Sequence, residues 1–176
     1  MDRGKATPAA AASRTAASTR RSEASRGSPL ADQQPARRHQ PATLAITRRV
    51  PLPGCDHDHG LTLDPPARLV FIACDGNARL LTLDLATWQV TSTSTVGDQP
   101  DVLAYDPAAR RLYVAAESGT LTILDNHRGH LTVTGRAYLA DGAHVVVVDA
   151  ATHDSYYPVP ASPGGHPALL IYQPAP

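Results

Sequence analysis

The chain has 176 residues, 42% of them hydrophobic, with 16 basic and 16 acidic side chains, the size of one cored domain with or without a tail. The zero net charge hides two unlike segments: residues 1–49 hold ten Lys/Arg against three Asp/Glu, and residues 50–176 hold six against thirteen. No run approaches the ~18 consecutive apolar residues of a membrane-spanning helix, and two cysteines exclude both a disulfide scaffold and a four-cysteine zinc site.

Residues 1–40 consist mainly of Ala, Ser, Thr, Arg, Pro and Gln, with Leu30 the only large apolar side chain after Met1. Such a segment cannot offset an ordering cost of about 1–2 kcal/mol per residue, so a disordered basic tail is expected. The alanines of residues 8–18 favour helix locally but give it no apolar face to dock. The segment lacks the apolar core of a secretory signal. Its Arg/Ser-rich composition suits a transit peptide, but Arg20-Arg21 and Arg37-Arg38 lack amphipathic spacing. It could meet nucleic acid electrostatically, but it has no aromatic side chain for base stacking.

The rest of the chain repeats. The stretch from His59 to Asp64 and Pro65 returns 42 residues later from Asp101 to Asp106 and Pro107, and 43 residues further on from His144 to Asp149 and Ala150. After each Asp come a short polar turn and a second apolar run, at 69–74, 112–116 and 155–159. Third runs follow at 80–84, 121–125 and 169–172. The first two copies add a fourth at 88–96 and 130–138. These runs are short and rich in Val, Ile, Leu, Thr and Tyr, with Asp-Pro, Gly-Asn, Ser-Gly and Gly-Asp between them, which predicts strand–turn–strand. The first runs are apolar nearly throughout, as in strands buried on both faces, and fourth runs such as 90–96 are polar, as at a sheet edge. Four strands at this period predict a β-propeller blade, which must stack on neighbours.

Residues Val96-Gly97-Asp98-Gln99-Pro100, then Leu103-Ala104-Tyr105-Asp106-Pro107, then Leu112-Tyr113-Val114-Ala115 follow a V-G-x-x-P, L-A-x-x-P, L-Y-V pattern. That pattern resembles the repeat of YVTN-type (YncE-like) β-propellers. Residues 68–84, with Asn77 and Asp84, resemble its strand–Asn–strand–Asp part. The expected fold class is thus all-β, a partial propeller over residues 41–176 with blades near 59–97, 101–139 and 144–176. Closed propellers have about four to eight blades, so three imply the C-terminal portion of a longer propeller, or several chains closing one ring. The resemblance implies a periplasmic or other extracytoplasmic location. The run 44–49 reads as a stray strand, either the outer strand of a missing blade or a closing strand for the third. The third copy carries Pro158 and Pro160 in or beside its second strand, which suits an imperfect or end-exposed blade.

Cys55-Asp56-His57-Asp58-His59 is the densest group of potential ligands. In extended chain Cys55, His57 and His59 share one side, and with His144, another blade-start residue, they form a candidate Zn or Cu set. Asp101, at the same blade-start position, is a further candidate for the fourth ligand. Cys55 and Cys74 fall at one end of the first blade, so a disulfide is the competing expectation. Asp64, Asp106 and Asp149 recur with the period, which points to turn capping rather than catalysis. No nucleophile elbow, Walker loop or G-x-G-x-x-G is present.

Two function classes follow. The first is a non-enzymatic binding module presenting its ring face to a protein or small ligand. The second, by resemblance of architecture, is the remnant of a propeller enzyme, lactonase-like or amine-dehydrogenase-like, with a metal near the channel mouth. A three-blade arc also leaves two flanks uncovered, and self-association is expected there, with Leu61, Leu63, Val146 and Val148 as candidate lining residues.

Overall fold

A computed structural model describes residues 45–174; the tail expected over 1–40 lies outside the described residues. The alternating runs form eleven strands in three antiparallel sheets. The first sheet orders β1 (Asp58–Asp64), β2 (Leu69–Cys74), β3 (Arg79–Asp84) and β4 (Gln89–Thr95) as they occur in the chain. The second repeats this with β5 (Pro100–Asp106), β6 (Arg111–Ala116), β7 (Thr120–His127) and β8 (His130–Tyr138). The third has three strands, β9 (Val147–Val148), β10 (Ser155–Val159) and β11 (Ala168–Tyr172). Burial is greatest in the second strands and not, as expected, in the first: β1 is an edge of its sheet and only its Asp64 is buried. Every residue of β2 is buried, whereas β4 alternates between exposed and half-buried side chains, as an edge strand should.

The hairpins share one chemistry. Asp64, Asp84 and Asp106 each end a strand, and in each case the residue four places on has positive φ: Arg68 (58°), Trp88 (61°) and Arg110 (53°). The Asp carboxylate accepts backbone N–H groups of the turn, Ala67 N at 3.2 Å for Asp64 and Ala108 N and Ala109 N at 3.0 Å for Asp106. This is a four-residue loop around a type I turn, with the carboxylate closing an Asx turn.

The sheets stack face on face. Leu69, Phe71, Ala73 and Leu80 of the first sheet meet Leu103, Leu112, Val114, Leu124 and Leu131 of the second, with the Phe71 and Tyr105 rings 5.4 Å apart. A second core joins Ala104, Tyr113, Ala115 and Leu121 to Val146 and Tyr157 of the third unit. Burying each large apolar side chain is worth about 1.5–3 kcal/mol, so the contacts between sheets hold the arc together. The innermost strands approach most closely at Gly60, where an added Cβ would lie 1.6 Å from the Asp101 carbonyl oxygen.

Three further expectations need correction. No strand covers 45–50: this run has no regular structure, and the Arg48 guanidinium sits 4.8 Å from the centroid of the Trp88 ring. The third innermost strand shrinks from the expected 144–149 to Val147–Val148. In the register Tyr156↔Val147, Pro158 falls opposite Val145, and having no N–H to donate it ends the ladder there. Finally, Val146 is 2% exposed and part of the core between the second and third units, and the half-buried Val148 packs against the same core, so neither lines a free flank.

The outer flank of the first sheet is partly covered. Val50, Leu52 and Cys55 pack on Val70, Ile72, Leu81 and Leu83, and Cys55 is joined to Cys74 by a disulfide, with Cα atoms 5.3 Å apart. Leu61 and Leu63 on the innermost strand stay exposed, at 64% and 46%.

Two outcomes are expected from this packing. Gly60→Ala forces a backbone shift between the first two sheets and should cost about 3 kcal/mol, read as a lowered denaturant midpoint. Replacing both cysteines by serine opens a loop of sequence separation 19 and should cost about 3 kcal/mol. A reductant should then have no further effect on the unfolding midpoint.

Candidate functional site

The repeat brings its chemically capable side chains to two places. The first is the meeting point of the blade starts. The His59 Nδ1 lies 3.2 Å from Asp101 Oδ1, and the His144 Nε2 lies 3.8 Å from Asp101 Oδ2. Three units thus contribute one side chain each, because the period returns them to the same end of the innermost strand and the close approach at Gly60 draws the strands together. Asp101 is 18% exposed between the more open His59 (57%) and His144 (40%). Either imidazole, when protonated, forms an ion pair with the shared carboxylate.

The candidate ligand set is not assembled as a set. Cys55 is in the disulfide with Cys74 and has no thiolate to offer. The His57 ring pairs with Asp56 at 3.0 Å on an exposed loop, whose backbone is tied to the short 3-10 turn Asp75–Asn77 by Asp75 N–His57 O and Gly76 N–Asp56 O bonds. His59 and His144 do come to one carboxylate, but against its two different oxygens. Among the described residues no group of three His, Cys, Asp or Glu side chains is arranged to hold a metal.

The second place is the far end of the innermost strands. Asp64 has one oxygen on its own turn, while its Oδ2 accepts the Tyr105 hydroxyl at 2.7 Å and the Asn126 amide at 3.1 Å, both from the next unit. Asn126 also donates to the Tyr105 hydroxyl at 3.1 Å. Asp106, fully buried, repeats the device: its Oδ2 lies 2.6 Å from Nδ1 of His153, in the third unit. Asp149 caps its turn through Ala151 N at 2.8 Å and is exposed, with no donor from another unit among the described residues. Each engaged carboxylate therefore closes a hairpin with one oxygen and holds the neighbouring unit with the other. Sequence reasoning found the capping role but missed Tyr105, Asn126 and His153. One signal was there: Tyr105 stands just before Asp106, where the other copies have Leu63 and Val148.

A cleft of about 220 Å³ opens between the outer parts of the second and third units. Leu121, Ile123, Ala137 and Leu139 form one wall, and Tyr157 and Tyr172 stand on the other with their rings edge to face at 5.6 Å.

No family model matches the chain, and no curated protein matches it in sequence. Solved structures do match. The hydrazine synthase of Kuenenia stuttgartiensis superposes with a TM-score of 0.53 at 19% identity, over 65% of this chain and 32% of its own. A Bacteroides uniformis protein, provisionally named a 6-phosphogluconolactonase, gives 0.56 at 16% identity, over 68% and 38%. The β-propeller domain of Cps50 (Swd1) from Myceliophteria thermophila gives 0.53 at 12% identity, over 67% and 39%. The chain has a β-propeller fold. At these identities the likeness shows the fold alone, and the propeller chain described here spans a little over a third, or less, of the length of each of these structures. Its first two blades have the expected four strands and its third has three.

Two tyrosines give the blade contacts a pH signature. Burial, then the bond to Asp64, pushes the Tyr105 hydroxyl up to about 12, and burial does the same to Tyr157. The folded state therefore keeps protons that the unfolded chain releases near pH 10, so stability falls as pH rises. Denaturant midpoints should be level below about pH 10 and drop between about pH 10 and 12. Tyr157→Phe should flatten part of that drop; an unchanged slope in the variant would count against burial as its cause.

Proposed function

We propose that the chain is a non-enzymatic interaction module, a three-blade portion of a longer propeller of the YVTN (YncE-like) type extending over residues 41–176. The observation that supports this reading is the employment of its ionisable side chains. Asp64, Asp106 and Asp101, which periodicity places at the two ends of the innermost strands, are engaged with Tyr105, Asn126, His153, His59 and His144 of adjacent blades. Groups held in blade-to-blade contacts build a scaffold that presents loops to a protein or small ligand. The Cys55–Cys74 disulfide supports an oxidising, extracytoplasmic setting. Leu61 and Leu63 on the first blade, and Val147, Leu169 and Ile171 on the last, are exposed apolar side chains of flanks that neighbouring blades cover in a ring. Self-association of the isolated chain through them is part of this reading.

A second reading, the remnant of a lactonase-like or amine-dehydrogenase-like enzyme with Zn or Cu near the channel mouth, is favoured by one observation, the meeting of His59, Asp101 and His144. Metal analysis separates the two. The interaction module should purify with metal well below one equivalent, should remain so in His57→Ala and His59→Ala variants, and should scatter light as an associating species. A stoichiometric metal lost on either substitution would establish the enzyme reading instead.

A further inference from the structure

The Cys55–Cys74 bond is one of several ties between the two segments that carry it. Asp75 N donates to His57 O at 2.8 Å and Gly76 N to Asp56 O at 3.0 Å. The Asn77 side-chain amide donates to Gly54 O at 3.0 Å. Cys74 itself is fixed in the sheet, opposite Asp58 of β1 and Arg79 of β3. On the other side, Val50 and Leu52 pack on Val70, Ile72, Leu81 and Leu83. These bonds and contacts hold the two cysteine backbones, 5.3 Å apart at Cα, without help from the sulfurs. When the disulfide is opened, the two thiols therefore stay neighbours.

Opening it changes the chemistry of the place. A disulfide offers no thiolate, whereas two adjacent cysteines are a soft chelating pair for zinc. A nitrogen ligand stands beside them. Gly76, two residues after Cys74, makes room for the loop above it: a Cβ there would lie 2.9 Å from Asp56 Oδ2 and 3.0 Å from His57 Nδ1. The His57 ring is 81% exposed and its side-chain partner is the equally open Asp56, at 3.0 Å. No packing holds this ring away from the sulfurs. His59, by contrast, is drawn off to Asp101 of the next blade at 3.2 Å.

We propose that the reduced pair is a zinc site, with Sγ of Cys55, Sγ of Cys74 and an imidazole nitrogen of His57 as ligands and a water in the fourth position. A dithiol reductant opens the bond by exchange. Its two thiols give up two electrons and two protons and close into its own disulfide, and Cys55 and Cys74 take these up as thiols. Zinc then displaces both thiol protons, and no electron moves in that step. Zn–S bonds of about 2.3 Å suit two cysteines held this close. With the disulfide closed, the set lacks both sulfurs and the His57 ring alone holds no metal. Oxidation thus gates the site, which goes beyond the reading of the chain as an interaction module.

The test uses the full chain, reduced with a dithiol that is then removed in the absence of air. In competition with a colorimetric chelator the reduced chain should take up about one equivalent of zinc, and the disulfide-closed chain well below one. Cobalt in place of zinc should give the near-ultraviolet charge-transfer band of thiolate ligation. Cys55→Ser should lose the uptake and the band. His57→Ala should keep both sulfurs and bind zinc about tenfold more weakly or less, while His166→Ala, on the loop between β10 and β11, should match the parent chain. Amide exchange over 69–74 and 79–84 should remain slow after reduction and before zinc is added. Loss of that protection, no uptake by the reduced chain, equal uptake with the disulfide closed, or unchanged affinity in His57→Ala would each overturn the inference. Metal in the disulfide-closed protein bears on the enzyme reading, and zinc taken up only after reduction bears on this site, so the two fail separately.

Discussion

The first two sheets carry apolar side chains on both faces, and no such sheet is stable alone in water. β2 is buried from Leu69 to Cys74 without a break, so its alternate side chains need two different partners. One partner is the next blade, through Phe71 and Leu69; the other is the segment around Val50 and Leu52. Everything else in the molecule adjusts to this need for cover. The period of the sequence exists because each blade must solve the same problem, and the shortness of Val147–Val148 matters because it weakens the last solution.

The aspartates at the strand ends show how directional bonding sharpens a contact that hydrophobic burial alone leaves loose. Packing of Leu and Val side chains tolerates sliding and rotation. A carboxylate with one oxygen on its own hairpin and the other on a neighbour's hydroxyl, amide or imidazole does not, because both sets of bonds must be satisfied by one rigid group. Asp64 reaches Tyr105 and Asn126, and Asp106 reaches His153, so different donors serve the same acceptor position. The acceptor is periodic and the donors are not. The turn requires Asp, whereas several side chains of suitable length can occupy the far side.

That asymmetry explains what could be read in the sequence. The strands of the first two blades and the capping role of Asp64 and Asp106 follow from local alternation and turn chemistry, which act over a few residues. The donors to those carboxylates lie 41, 62 and 47 residues away, and no local pattern fixes which side chain arrives. The meeting of His59, Asp101 and His144 was legible because all three occupy one position of the repeat. The fate of Cys55 was not, because a thiolate ligand and a disulfide are equally compatible with Cys-Asp-His-Asp-His. The distance to Cys74 settles it, and that distance depends on the β1–β2 register, Asp58↔Cys74 and Leu61↔Ile72. Pro158 was visible as an irregularity, but its consequence for the innermost strand depends on Val145 lying opposite.

The covering segment over the first blade gives the stack a direction. Val50 and Leu52, fixed by the link from Cys55 to Cys74, occupy the outer part of a surface that stacking would otherwise use, while Val147, Leu169 and Ile171 leave the other end bare. The two ends of the stack therefore differ in how much apolar surface they offer: the first keeps Leu61 and Leu63 open beside a covered part, and the last is bare at Val147, Leu169 and Ile171. In the language of joinery, one face is planed down and pinned by the disulfide and the other is left rough, so the two faces cannot be interchanged in any joint the molecule makes.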